Sequence, residues 1–130
     1  MEKQYFSLTK NERDIMNLLW SEKRPLSRSE IIQLSENRAW KASSIHILLN
    51  QLLDKGAIVV DGFVKTGKNY GRTFSPSLTE AEYQVMQFKN SAAYAESKSN
   101  AMVDLVSALV DDEELDAKTL KNLKALLNKK

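Results

Sequence analysis

The chain has no cysteine. Disulfides, thiolate metal sites and a cysteine nucleophile are therefore excluded, and the composition suits a reducing, cytoplasmic setting. Long apolar runs are also missing. No segment approaches the roughly 18 residues of a membrane span, so no membrane partner is expected. Met1 to Lys10 is polar and lacks the apolar stretch of a signal peptide. Histidine occurs once, at His46. A lone imidazole without partners is a poor metal ligand or base, and His46 is assigned to the surface. No paired carboxylates or nucleophile–base pair stand out, and Gly67-Lys68 lacks the upstream glycine spacing of a phosphate loop. The expectation is a protein that is not an enzyme and holds no metal or cofactor.

Glycine and proline are also scarce, and their placement organises the chain. All four glycines, Gly56, Gly62, Gly67 and Gly71, lie in one short window, with Pro25 and Pro76 outside it. The pattern is helical before this window and again after Pro76, so one turn-rich, β-prone patch separates two helical blocks. Charge divides at the same place. Residues 1–76 hold 12 Lys/Arg and 8 Asp/Glu, whereas residues 77–130 hold 7 and 9. A basic front and an acidic back suggest a polyanion partner for the front, or a chance asymmetry.

Three helices are expected before the glycines. Thr9 and Glu12 form a capping box for the first, and Ile15, Met16, Leu19 and Trp20 form its apolar stripe. Pro25 breaks that pattern. Ser27 and Glu30 cap a short second helix, with Ile31 and Leu34 on its buried side. The third runs from about Ala42 to Lys55 and stops at Gly56, a residue suited to a left-handed helix end. Its inner face carries Ile45, Leu48, Leu49, Leu52 and Leu53. Its outer face carries Ser43, His46, Ile47, Asn50, Gln51 and Asp54. The β-branched run at 57–60 predicts a strand. A long hairpin connection over 61–71 leads to a returning strand at 72–75, ended by Pro76.

Helix, helix, helix and a glycine-rich hairpin is the layout of a winged helix-turn-helix, mainly α with a small β wing. Such a fold suits double-stranded DNA, whose major groove admits one α-helix. Asn50 and Gln51 are suited to adenine. Lys41, Ser43, Ser44 and His46 are placed for phosphates or bases. Ile47 either touches a thymine methyl or is a single exposed apolar residue. Lys65, Lys68 and Arg72 make the hairpin a basic tip for phosphates, or a loop kept soluble by its charges. Trp20 and Trp40 read as core or interface residues.

The tail predicts three further helical segments. One follows Leu78, capped by Thr79 and Glu82, and carries Tyr83, Met86 and Phe88. The next carries Met102, Leu105, Val106, Leu109 and Val110 at helical spacing. The last follows Asp116 and carries Leu120, Leu123, Leu126 and Leu127, with Lys129 and Lys130 at its end. Such thin amphipathic helices bury little alone. Pairing with a second copy through Met102, Leu105, Val106, Leu109, Leu120, Leu123 and Leu127 would supply a core. It would also match the two-fold symmetry of palindromic operators. The expected division is a DNA-binding domain over 1–77 and a helical dimerisation domain over 78–130. The alternative is a winged-helix adaptor whose third helix binds protein.

The chain resembles the penicillinase-repressor family. The similar stretches are Leu8-Thr9, Glu12, Ile15-Met16 and Leu19-Trp20, then Trp40-Lys41-Ala42-Ser43-Ser44-Ile45, Leu48-Leu49, Leu52 and Lys55-Gly56. Gly71-Arg72-Thr73-Phe74-Ser75-Pro76 and the closing Leu115, Leu120, Leu123 and Leu126-Leu127 continue the likeness. The resemblance implies an N-terminal winged helix, a C-terminal dimerisation unit and repression from a palindromic operator. It also implies that Trp40 precedes the recognition helix and that Ser43 to Gln51 line the groove. Ser43 and Ser44 stand where the family often has a basic residue and a Thr, and Gln51 where it often has an Arg. The copper-responsive branch uses a C-terminal cysteine cluster that this chain lacks. The antibiotic-responsive branch is released by proteolysis, at a point matching Ala108-Leu109. Ala108 replaces the usual Asn there, so the release signal, whether a protease or a small ligand, is not carried over.

Overall fold

The structure, a computed structural model, describes residues 5–66, 69–112 and 115–129. It contains two compact units, Met1–Gln87 and Phe88–Lys130.

In the first unit, helix α1 spans Lys10–Glu22. Its capping box is complete: the Glu12 N–H donates to Thr9 Oγ1 at 3.3 Å, and the Thr9 N–H donates to Glu12 Oε1 at 2.8 Å. Each such cap is worth about 1 kcal/mol. Lys23 turns the chain in the left-handed region, with φ 58°, and leads to a two-residue strand β1, Leu26–Ser27. Helix α2, Arg28–Leu34, starts on the expected Ser27–Glu30 box. Its inward side is Ile31, with Ile32 half-buried, while Leu34 is 38% exposed. The assignment of Leu34 to the core is therefore corrected: α2 is only seven residues long, and Ile31 alone of them is fully buried.

A 3-10 turn, Ala42–Ser44, precedes helix α3, Ile45–Lys55. Gly56 ends α3 with φ 80°, so that the Ala57 N–H reaches back to the Leu52 carbonyl at 2.9 Å. Strand β2 is Ile58–Thr66 and strand β3 is Asn69–Pro76. The sheet order is β1-β3-β2, all antiparallel, with Leu26 opposite Phe74 and Val60 also opposite Phe74. Two expectations change here. The connection is not a long loop, because strand pairing continues outward through Phe63–Arg72 to Thr66–Asn69. A register shift between Val60 and Phe63 interrupts the alternation that would have marked one continuous strand. Gly62 lies in this irregularity at φ 120°, a conformation that disfavours any residue with a Cβ. The third strand, β1, was too short to show a period.

The core joins Ile15, Met16 and Leu19 of α1 to Ile31, Ile45, Leu48, Leu49, Leu52, Ile58 and Phe74. Each such side chain contributes about 1.5–3 kcal/mol on burial. The first unit extends past residue 77. Helix α4, Glu80–Lys89, supplies Tyr83, which is 4% exposed and stacks on Phe6 with ring centroids 5.9 Å apart. The Tyr83 hydroxyl accepts the Leu8 N–H at 3.0 Å, and the Trp20 indole N–H donates to the Leu78 carbonyl at 2.9 Å. These bonds fasten the start of α4 to α1.

The second unit holds α5, Ala92–Glu96, α6, Lys98–Asp112, and α7, Ala117–Asn128. The short α5 was not expected. Ser91 caps it, accepting the Tyr94 N–H at 3.2 Å, and Tyr94 meets Phe88 edge-on. α7 follows Asp116 as expected; Asp116 caps it, accepting the Thr119 N–H at 2.7 Å, and this bond holds its carboxyl below the usual range. Among the described residues no helix is long and apolar enough to cross a membrane.

Candidate nucleic-acid interface

Helix α3 is amphipathic in the way the sequence requires. Ile45, Leu48, Leu49 and Leu52 are buried, which fixes the helix by its inner side. Ser43, His46, Ile47, Asn50, Gln51 and Asp54 are exposed, with Ile47 61% accessible. Ser44 is half-buried, so it contributes less to the outer surface. Lys41 is exposed at the entry to the 3-10 turn. Trp40, just before it, is buried under the Arg38 guanidinium, which lies 5.3 Å from the ring centroid. The buried ring anchors the approach to α3. Its indole N–H has no hydrogen-bond partner among the described residues.

The far end of α3 is fastened by charge. The Lys55 ammonium donates to Glu12 Oε1 and, at 2.9 Å, to the Ser7 carbonyl. Glu12 is fully buried. Burial pushes its carboxyl up, but the bonds from Lys55 and Thr9 outweigh this and hold it below its ordinary value. The second carboxylate oxygen, Oε2, has no partner among the described residues. Arg24, between α1 and β1, binds the capping Glu30 of α2 at 2.8 Å, which lowers the Glu30 carboxyl and raises the guanidinium.

The structure brings His46 and Asn50 of α3 together with Arg72 of the wing on one shallow groove. Ile47 and Gln51 on the exposed side of α3, and Ser43 in the preceding 3-10 turn, do not line that groove. Lys65 is exposed on β2. Lys68 lies outside the described residues. Arg28, Ser29 and Tyr70 also line the groove and were not anticipated. Arg28 had a signal: it is the first residue of α2, where the helix dipole disfavours a cation. Tyr70 was hidden by reading 61–71 as a loop. Among the described residues no three His, Asp or Glu side chains cluster as metal ligands would.

The penicillinase repressor family model matches residues 8–129. An uncharacterized 16.5 kDa protein in the ptsI 3' region of Latilactobacillus sakei is 28% identical over 123 residues. The match covers 95% of this chain and 80% of that protein. Because the family match takes in both units almost end to end, the chain belongs to the penicillinase repressor family.

Proposed function

We propose that the chain is a DNA-binding transcriptional regulator, acting as a homodimeric repressor on a palindromic operator. The observation that carries this is the outer side of α3. Asn50 and Gln51 stand exposed on a helix whose opposite side is locked into the core. Side-chain amides so presented suit the adenine edge in the major groove. Wing residues Lys65 and Arg72 are exposed for backbone phosphates. The sequence expects a DNA-binding part and a dimerisation part, and we assign these to the first and second units.

The second unit supports pairing with a copy of itself. Met102, Leu105, Val106 and Leu109 of α6, and Leu120, Leu123 and Leu127 of α7, are each at least 41% exposed. Apolar residues at this density are what a partner surface covers. A two-fold dimer then presents two α3 helices to two half-sites, separated by about 34–36 Å or a multiple of it.

Selection from a pool of random duplexes tests the proposal. The expected product is an inverted repeat. A folded protein that enriches no sequence contradicts the operator reading and favours a protein-binding adaptor.

A further inference from the structure

Arg28 opens α2 beside α3 and the wing. Its Nη1 lies 2.6 Å from His46 Nε2. Arginine has only donors, so the imidazole nitrogen accepts. Arg72 reaches the same groove from β3, with its guanidinium carbon 5.4 Å from the centroid of the buried Phe74 ring. That stacking limits where its donors point. Arg28, Ser29, His46, Asn50, Tyr70 and Arg72 are all exposed and line a groove of about 390 Å³.

Among the described residues no carboxylate lines this groove. Glu30, two residues from Arg28, is turned to Arg24 and to the Ser27 N–H. Among the described residues Arg28 and Arg72 make no ion pair. Three elements thus bring two guanidinium groups and an imidazole to one place without a negative charge. A groove of one sign attracts its counter-charge.

We infer that Arg28, His46 and Arg72 form one seat for a phosphate of the DNA backbone, with the Ser29 and Tyr70 hydroxyls at its rim. The seat presupposes the DNA binding proposed above and adds α2 to the contact surface. The planar guanidinium presents paired donors that match phosphate oxygens. Donors of Arg28 now turned to His46 go to the phosphate when DNA arrives. Asn50 lines the same groove, so the seated phosphate fixes how that amide meets its base. Phosphate contacts set register and base contacts set sequence.

The test is fluorescence anisotropy across a salt series, with a duplex enriched in the selection and a scrambled duplex of equal length. Wild type is compared with Arg28→Gln and Arg28→Lys, with thermal melting confirming that each is folded. Arg28→Gln is expected to lose about tenfold on both duplexes, and its log–log salt slope to shrink by about 1. Arg28→Lys is expected to keep the slope and lose less. If wild type binds the duplexes and Arg28→Gln keeps the wild-type affinity and slope, the seat is overturned. A loss confined to the enriched duplex makes Arg28 a base reader and also overturns it. Titration with inorganic phosphate separates a small-anion site. A variant that loses only phosphate binding, with DNA binding unchanged, contradicts the inference. Failure of wild type to bind either duplex removes the DNA-binding function itself.

Discussion

Lys55, the last residue of α3, donates its ammonium to Glu12, which is fully buried and closes the capping box at the start of α1. One carboxylate therefore holds a helix start and a helix end together. It also sets where the outer side of α3 stands on the core.

Removing either partner is expected to cost stability, and unequally. Lys55→Met leaves a buried carboxylate without its counter-charge. Because the Lys55 side chain is 30% exposed, water relieves part of this. The expected loss is about 2 kcal/mol, below the roughly 3–5 kcal/mol of a fully buried pair. Glu12→Gln keeps an acceptor for the Thr9 N–H and loses about 1 kcal/mol. The double variant is expected to lose less than the sum of the two. Urea unfolding with an unchanged m-value measures all three.

Acid should expose the same pair. The Glu12 carboxyl lies below its ordinary value of 4.5 in the folded protein. Its contribution is therefore complete above pH 4.5 and is lost as pH falls below that value, through the folded-state pKa. Glu30 adds a loss of the same sign, through its bond to Arg24. Wild-type stability is expected to fall more steeply below pH 4.5 than that of Glu12→Gln. Urea midpoints across pH 3–7 compare them, and parallel curves would contradict the assignment.

Tyr83→Phe tests whether α4 belongs to the first unit. The ring stays against Phe6 and Trp20, but the Leu8 N–H loses its acceptor. The expected loss is about 1–2 kcal/mol. A Tm equal to wild type would show that water satisfies this amide.

Leu123→Asp tests the dimer. A carboxylate on the exposed apolar side of α7 carries a desolvation cost if a second copy covers it. Light scattering is expected to show monomer for the variant and dimer for wild type. A variant that remains a dimer shows that α7 is not the seam.

Much of the first unit was legible from local chemistry. The Thr9–Glu12 and Ser27–Glu30 boxes, the α3 stripe and the Gly56 stop each rest on contacts within a few residues. What was not legible rests on distant contacts. Leu26–Ser27 is a strand only because Phe74 and Thr73 pair with it. Tyr83 is core only because Phe6 and Trp20 face it. The exposed side of α3 divides likewise. That His46, Ile47, Asn50 and Gln51 face outward followed from helical spacing. Arg28 meets His46 only through the fold, across eighteen residues of sequence.

On the function proposed above, the exposed side of α3 reads DNA sequence. The most direct test mixes purified protein with fragments of the genome that encodes it, at near-physiological salt, and sequences what is retained. Wild type is compared with an Asn50→Ala/Gln51→Ala variant. Wild type is expected to enrich an inverted repeat upstream of a few genes. The variant is expected to lose that preference, by about 1–3 kcal/mol per removed amide, while staying folded. Equal enrichment by both proteins, or none by a folded wild type, would contradict the account.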